Sequence, residues 1–362
     1  MTDGKDNALH VCPGVPFEPT PSWDVSVAKR RKNRSRAQFI DGILSGDRAI
    51  LAQAITLIES SRSTDRELAE QIVEDCLSFT SSSLRVGITG VPGAGKSSLI
   101  ETLGRYLIDD LNQNLAVLAI DPSSQLSGGS ILGDKIRMES LASSERAFIR
   151  PSPSRGSFGG VAQHTREAML LCEAAGYQNI LIETVGVGQS ETAVHDMVDC
   201  FVLVLLAGAG DELQGIKRGV MELADLVAIN KADGAGLAAA ERTVAEANNA
   251  LHFFPGSPAG WTPRSFACSA HTGRGIPDLW NHVLEHSSIT RDNGWFDRNR
   301  REQKRRWMRE SVEQGLGRLF STHPLVRARM EAFEAEVVAG RTTPFRAARS
   351  LLEIYAGPGQ NR

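Results

Sequence analysis

The sequence predicts an α/β protein with a doubly wound, mostly parallel sheet, a helical N-terminal extension and a helical C-terminal arm. Between residues 84 and 285, short and continuous apolar runs alternate with helical segments. This alternation is typical of parallel strands that are covered by helices on both faces. The flanking segments show helical periodicity without strand-like runs. Because 41% of the 362 residues are hydrophobic, the chain can bury a substantial core.

The chain divides into four predicted segments. Residues 1–35 are predicted to be a mobile tail and residues 36–83 a helical extension. Residues 84–288 are predicted to form the strand-and-helix domain, and residues 289–362 the helical arm.

Three helix starts are indicated by capping residues. Asp47 is a predicted N-cap, and Thr64 with Glu67 forms a predicted capping box. Thr343 followed by Pro344 predicts the start of the last helix, because proline is favoured at the first helical position.

The apolar runs place six strands in the central domain. The predicted strands are residues 85–89, 115–120, 179–184, 200–206, 226–230 and 265–269. In open parallel sheets, ligands bind beyond the carboxyl ends of the strands. We therefore expect the loops that follow these strands to carry the chemistry.

Charge and cysteine usage predict a cytoplasmic protein that contacts neither a membrane nor a nucleic acid. The formal net charge is −3, and the five cysteines are scattered without a CxxC pair. No apolar run approaches the roughly 18 residues of a membrane span. Two basic runs leave alternatives open. Residues 28–36 could contact a nucleic acid or a lipid, and residues 298–309 a nucleic acid, although acidic and apolar residues interleave the second run.

Residues 90–98, GVPGAGKSS, match the phosphate-binding pattern G-x-x-x-x-G-K-[ST]. The segment follows a predicted strand and opens a predicted helix, which is the context that this motif requires. Its backbone N–H groups and the helix N-terminus are expected to hold phosphate groups, Lys96 to neutralise their charge, and Ser97 to bind Mg²⁺. The predicted nucleotide-binding residues here are Gly90, Val91, Pro92, Gly93, Ala94, Gly95, Lys96, Ser97 and Ser98.

A second motif indicates that the base is guanine. Asn230, Lys231 and Asp233 follow a predicted strand in the pattern N-K-x-D. The Asp233 carboxylate can accept hydrogen bonds from two N–H groups of guanine, whereas adenine offers no matching donor pair. Ser269 and Ala270 belong to a loop predicted to support the guanine oxygen through backbone N–H groups. A helix-capping role for Asp233 is the alternative.

A third motif, E-T-V-G at residues 183–186, begins at the carboxyl end of the third predicted strand. Glu183 is expected in the Mg²⁺ shell, and the N–H of Gly186 is expected to sense the γ-phosphate. The next residue is Val187, where Ras-like enzymes carry a glutamine that orients water. Intrinsic hydrolysis is therefore expected to be slow.

Taken together, five long segments resemble the MeaB/MMAA/ArgK family. They are GVPGAGKSS, AIDPSSQLSGGSILGDKIRM, AFIRPSPSRGSFGGVAQ, ILIETVGVGQSE and GDELQGIKRGVMELADLVAINKAD, and the resemblance spans roughly residues 36–355. It implies a P-loop GTPase that uses GTP, GDP and Mg²⁺. It also implies a homodimer that serves as chaperone of an adenosylcobalamin-dependent acyl-CoA mutase, chiefly methylmalonyl-CoA mutase.

The resemblance also implies roles for three further residues. Asp121 and Asp134 are expected in the first switch and Mg²⁺ region, and Lys217 lies in an expected third switch at residues 208–217. Lys217 is a catalytic candidate that would stabilise transition-state charge. With Lys96 and Glu183, these residues complete the predicted catalytic set. Turn formation at Asp121, helix capping at Asp134 and a solvated helix position for Lys217 are the alternatives.

Three other functions are weighed against this one. Residues 282–286 spell H-x-x-E-H, a zinc-protease pattern, but no second motif supports it and an ordinary helix surface is favoured. A GTPase metallochaperone would call for a His-rich tract or clustered cysteines. A P-loop kinase of the ArgK type is the remaining alternative, and it conflicts with the guanine motif.

Overall fold

The computed structural model describes residues 34–80, 83–121, 138–153, 158–184, 190–208, 218–254 and 256–357. The predicted N-terminal tail spans residues 1–35, of which residues 1–33 lie outside these ranges. The fold class predicted from the sequence is confirmed within them.

The centre of the fold is one seven-stranded sheet in which every pair of neighbouring strands is parallel. The strand order is β3-β2-β4-β1-β5-β6-β7, so β1 is central, with β4, β2 and β3 on one side and β5, β6 and β7 on the other. The strands are β1 (Leu84–Gly90), β2 (Leu115–Asp121), β3 (Ala147–Pro153), β4 (Asn179–Thr184), β5 (Cys200–Leu206), β6 (Leu226–Asn230) and β7 (Arg264–Ala267).

The sequence prediction missed β3. This strand has the sequence AFIRPSP, and it pairs with β2 alone at the edge of the sheet. Its two prolines argue against a central strand, because proline cannot donate to the ladder, but an edge strand tolerates them. The other six strands were predicted to within two residues at each end.

Thirteen α-helices lie in the described residues. They are α1 (Arg36–Leu44), α2 (Arg48–Ile58), α3 (Ser63–Cys76), α4 (Lys96–Arg105), α5 (Glu139–Ser143), α6 (Phe158–Ala174), α7 (Ser190–His195), α8 (Arg218–Glu222), α9 (Leu237–Leu251), α10 (Ile276–Asp292), α11 (Trp295–Thr322), α12 (Pro324–Val338) and α13 (Pro344–Ala356). A π-helical turn, Tyr106–Asp110, extends α4, and short 3₁₀ turns span Leu77–Phe79 and Gly234–Gly236.

Two of the three predicted helix starts are confirmed. The Asp47 carboxylate accepts hydrogen bonds from the backbone of Ala49 and Ile50, and Thr343 caps α13. The predicted capping box is wrong, because α3 begins at Ser63 and the residue in the capping position is Arg62. Thr64 therefore lies inside the first turn, where its hydroxyl cannot cap that helix.

Apolar clusters cover both faces of the sheet. On one face, the strands pack against α4 and α10 through residues such as Leu99 and Trp280. On the other face, they pack against α6 and α7, and α1 to α3 lie in the same cluster through residues such as Ile43 and Ile72. A third cluster joins β5 and β6 to α8 and α9. These layers hold the carboxyl ends of β1, β4 and β6 at one edge of the sheet.

None of the helices in the described ranges is both long and apolar enough to cross a membrane.

Candidate nucleotide-binding site

A cavity of about 590 Å³ lies at the carboxyl ends of the central strands. This volume is within the range of about 300–1,000 Å³ that is usual for small-molecule sites. The lining residues come from the loop between β1 and α4, from the first turn of α4 and from the ends of β2, β4 and β6. They are Pro92, Gly93, Gly95, Lys96, Ser97, Ser98, Ala119, Ile120, Glu183 and Lys231.

The loop between β1 and α4 adopts a conformation that needs glycine at two positions. Gly90 has φ +152° and Gly95 has φ +85°. A Cβ atom at Gly90 would lie 2.2 Å from the Val204 carbonyl oxygen, and one at Gly95 would lie 2.6 Å from Asn230 Nδ2. The loop therefore packs directly on β5 and β6, and its backbone leads into the N-terminus of α4, where N–H groups and the helix dipole favour an anion.

The Lys96 ammonium group lies over the same loop. Its Nζ donates to the Gly90 carbonyl oxygen at 2.8 Å and to the Val91 carbonyl oxygen at 3.2 Å. Lys96 is 7% exposed and lines the cavity. A buried cation at the mouth of a helix N-terminus suits a phosphate group that carries several negative charges.

Ser97 and Glu183 meet across the cavity. The Ser97 hydroxyl donates to the Glu183 carboxylate at 2.8 Å, although the two residues belong to different elements, α4 and β4. Glu183 is 7% exposed. A hydroxyl beside a buried carboxylate, next to a phosphate-binding loop, is the oxygen donor set that Mg²⁺ prefers. The residues present therefore fit a Mg²⁺-nucleotide.

Asn230 connects the phosphate loop to the two loops of the predicted base site. Its Nδ2 donates to the Ala94 carbonyl oxygen at 2.8 Å, and its Oδ1 accepts from the Ala270 N–H at 3.0 Å. Asn230 is 1% exposed. The adjacent Lys231 has φ +62°, a left-handed conformation that is unusual for a residue with a side chain.

Asp233, which is predicted to recognise guanine and is called the guanine reader below, is held by a second set of contacts. The Ser269 hydroxyl donates to the Asp233 carboxylate. The same hydroxyl accepts from the Thr272 N–H at 3.1 Å. The Ala232 N–H donates to the Cys268 carbonyl oxygen at 3.0 Å. These contacts orient the Asp233 carboxylate, which is the group that would accept the two N–H donors of guanine.

Sequence reasoning missed three residues of this region. Ala119 and Ile120 of β2 line the cavity. Their position at the carboxyl end of a strand was the available signal, because that is where ligands bind in such sheets. Thr102 of α4 donates to the Ala270 carbonyl oxygen at 2.6 Å. This bond attaches the loop that contains Ser269 and Ala270, here called the base loop, to the phosphate-binding helix. Nothing in the local sequence around Thr102 points to this contact.

Four predicted site residues fall beyond what the structure describes. Asp134, Gly186 and Lys217 lie outside the described residues. Asp121 ends β2, but its side chain is outside the described part. Their roles stay predictions.

The zinc-protease pattern at residues 282–286 does not form a metal site. His282 packs against the Phe266 ring, and Glu285 pairs with Arg264. His286 is 2% exposed and packs edge-on against Trp261, so the expectation of an ordinary helix surface was wrong for this residue. Within the described ranges, no group of three or more His, Cys, Asp or Glu side chains could hold a metal ion.

Comparison with known families agrees with this geometry. The model of a family described as "Methylmalonyl Co-A mutase-associated GTPase MeaB" matches residues 51–324, which is more than half of the chain.

The chain belongs to the MeaB family of GTPases.

Individual relatives resemble this MeaB-family chain over most of its length. The GTPase ArgK of Escherichia coli is 45% identical over 295 residues, which is 80% of this chain and 88% of the relative. A mouse protein named "Methylmalonic aciduria type A homolog, mitochondrial" is 44% identical over 332 residues, which is 88% of this chain and 80% of the relative. The crystal structure of a LAO/AO transport system kinase has a TM-score of 0.70 and 36% identity, and covers 89% of this chain and 98% of that structure.

Membership of this family confirms the predicted resemblance and the prediction of a GTPase. It implies that the protein binds a guanine nucleotide.

Proposed function

We propose that the protein is a GTP-hydrolysing chaperone of an adenosylcobalamin-dependent acyl-CoA mutase, with methylmalonyl-CoA mutase as the first candidate. The observation that carries this proposal is the family match over residues 51–324, since that family is described as mutase-associated. The name of the mouse relative, which refers to methylmalonic aciduria, supports the same partner.

On this proposal, GTP lies along the cavity with its phosphates on the loop before α4 and its base between the loops that follow β6 and β7. Lys96 leaves the loop carbonyls to contact the β- and γ-phosphate oxygens. Ser97 and Glu183 hold Mg²⁺, with Asp121 and Asp134 as the further predicted ligands. When bound, Mg²⁺ neutralises charge that develops on the transferred phosphoryl group.

Three loops are proposed to respond to the γ-phosphate. They comprise residues 121–137, 186–195 and 208–217 after β2, β4 and β5, and the second of them includes α7. The start of the third loop is held by a hydrogen bond of 3.1 Å from the Gly208 N–H to the Thr243 hydroxyl. Ordering of such loops by a γ-phosphate is a known switching mode. We propose that these loops gate loading or protection of adenosylcobalamin in the partner mutase, with Gly186 as sensor and Lys217 stabilising transition-state charge.

A homodimer formed through the C-terminal arm is part of the proposal. Met308, Val312, Leu316 and Leu319 lie along one side of α11 at helical spacing, and each is more than half exposed. An apolar stripe of this kind supports burial against a second copy. A light-scattering mass equal to one chain would contradict the dimer.

The proposal is tested by measuring phosphate release from GTP and from ATP, with and without methylmalonyl-CoA mutase from the same organism. We expect slow turnover of GTP, no turnover of ATP, and faster turnover of GTP when the mutase is present. The Lys96→Ala variant is the control for contaminating activity.

Two results would contradict parts of the proposal. GTP turnover that is indifferent to the mutase would reject this partner and leave a GTPase. Turnover of ATP at the rate of GTP would reject the guanine reader and favour the kinase alternative, which is the activity named for the similar LAO/AO transport system kinase.

A further inference from the structure

A pair of buried hydroxyl groups lies behind the proposed Mg²⁺ site. Thr89 Oγ1 and Thr184 Oγ1 are 2.7 Å apart, and their residues are 1% and 0% exposed. Thr89 immediately precedes Gly90, the first residue of the phosphate loop, and Thr184 immediately follows Glu183. Each threonine is therefore the covalent neighbour of a site residue.

The hydroxyl pair lies where the backbone pairing of β1 with β4 ends. The last residues paired between these strands are Ile88 and Glu183. Beyond that point, β1 stays paired with β5 as far as Gly90, while β4 stays paired with β2 as far as Thr184. The two strands thus separate at the site, and the bond between the hydroxyls connects them one residue past the last backbone pair.

The hydroxyls themselves do not face the nucleotide cavity. Successive residues of a strand point to opposite faces of the sheet. Because Glu183 points to the cavity and to Ser97, Thr184 points to the opposite face, where Ile182 and Val194 belong to the apolar cluster under α6 and α7. Among the described residues, the structure gives each hydroxyl the other as its hydrogen-bond partner.

Stability alone does not account for two hydroxyls in this layer. Valine has nearly the same shape as threonine, and replacing both partners of a buried hydrogen bond with apolar groups of equal shape is close to neutral. A hydrogen bond does what two valines cannot, since it sets a preferred distance and direction between the two strand ends.

We propose that Thr89 and Thr184 are positioning residues that hold Ser97 and Glu183 at the separation Mg²⁺ requires. Ser97 follows the phosphate loop that begins after Thr89, and Glu183 is adjacent to Thr184. Loss of the bond lets the two strand ends separate, which spreads the distribution of distances between the Ser97 hydroxyl and the Glu183 carboxylate. Partners that orient metal ligands without touching the metal commonly alter metal affinity by about 10- to 100-fold. This inference depends on the Mg²⁺ site proposed above.

The test uses the full-length protein and the Thr89→Val/Thr184→Val double variant. The readout is the affinity for a fluorescent GDP analogue, measured in EDTA and across a Mg²⁺ titration. We expect unchanged affinity in EDTA, a thermal midpoint close to that of the wild type, and about a tenfold increase in the Mg²⁺ concentration needed for half of the affinity gain. An unchanged Mg²⁺ half-point in the double variant would overturn the proposal.

Two controls separate this proposal from its alternatives. Thr290→Val removes another buried hydroxyl, which bonds to the His286 carbonyl oxygen in α10, and should leave the Mg²⁺ half-point unchanged. Ser97→Ala should lose most of the Mg²⁺ dependence. If Ser97→Ala behaves as the wild type, the Mg²⁺ site itself is wrong. If only Ser97→Ala changes, the site stands and the threonine pair has no positioning role.

A second pair of variants covers the case in which the double valine variant does not fold. Thr89→Ser/Thr184→Ser keeps both hydroxyls, whereas Thr89→Ala/Thr184→Ala lacks them, and both pairs lose the same two methyl groups. We expect the serine pair to keep the wild-type Mg²⁺ half-point and the alanine pair to raise it. Equal half-points in the two pairs would overturn the proposal.

Discussion

At the residue scale, the site depends on side chains that contact two elements at once. The Asn230 side chain bonds to the phosphate loop at Ala94 and to the base loop at Ala270. The Ser97 side chain also joins two elements, because it belongs to α4 and donates to Glu183 of β4. Each of these side chains is short, so its contacts hold only while the elements keep their spacing. The geometry of the site therefore depends on how the strands and helices beneath it pack.

The predicted guanine reader provides a test at this scale. Asp233→Asn replaces an acceptor with a donor, which mismatches the N–H groups of guanine and matches a carbonyl of xanthine. We expect affinity for GTP to fall by about 10- to 100-fold, as for the loss of hydrogen bonds to a charged group. Affinity for XTP should rise. Binding constants for both nucleotides measure this change.

The matched control for this variant is Asp278→Asn, in the first turn of α10 and exposed to solvent. It removes the same charge away from the cavity and should leave both affinities unchanged. If Asp233→Asn keeps the wild-type preference for GTP, Asp233 does not read the base.

At the element scale, α11 is attached to the four residues 196–199 that follow α7. The Arg300 guanidinium donates to the Asp199 carboxylate at 2.6 and 2.8 Å. One turn later, Gln303 donates to the Val198 carbonyl oxygen at 2.8 Å, and after another turn Trp307 donates to the Asp196 carbonyl oxygen at 3.2 Å. Helical spacing puts these three side chains on one face. The start of the C-terminal arm is therefore anchored to the GTPase core.

The Arg300 ion pair is expected to stabilise this attachment. Burial opposes the charged form, but the hydrogen bond and charge of Asp199 prevail and raise the pKa of Arg300. Arg300→Ala leaves the Asp199 carboxylate, which is 3% exposed, without its cation. We expect the free energy of unfolding to fall by about 3 kcal/mol, measured by chemical denaturation.

Arg305→Ala on the same helix is the control. Arg305 pairs with Glu302 at the surface, where the two side chains are 65% and 50% exposed, and such pairs contribute at most about 0.5 kcal/mol. Equal losses in the two variants would show that the Arg300 pair contributes no more than a surface pair.

At the scale of the whole molecule, four of the five cysteines lie in the described residues, and the core encloses their thiols. Cys76, Cys172, Cys200 and Cys268 are each reduced and completely buried. Burial, with a smaller effect of the Asp75 charge, raises the pKa of Cys76 to about 11. Burial raises the pKa of Cys268 to about 12. The thiolate, which is the reactive form, is therefore scarce in the folded protein at neutral pH.

We predict that these four thiols react with iodoacetamide at pH 8 only after the protein unfolds. Mass spectrometry of native and denatured samples counts the modified cysteines. Because the folded thiols hold their protons more tightly than unfolded ones, their contribution to stability is complete below a pH of about 8.5. It is lost as the pH rises toward the folded values. Rapid modification of any of the four in the native protein would contradict the buried core.

Much of the central domain could be predicted from local patterns. Continuous apolar runs such as residues 200–206 mark central strands, because both faces of such a strand are buried. The edge strand β3 was missed since its prolines and Arg150 interrupt that pattern. The outer side of an edge strand makes no hydrogen bonds to another strand, so proline is tolerated there and a continuous apolar run is not required.

The sequence by itself determined the phosphate loop, the guanine motif and the family, because each depends on residue types at short spacings along the chain. The tertiary structure alone decided which distant residues meet. It placed Ser97 against Glu183, Thr102 against Ala270 and Thr89 against Thr184. These contacts join residues 86, 168 and 95 positions apart. Their geometry follows from strand order and helix packing, which no local pattern encodes.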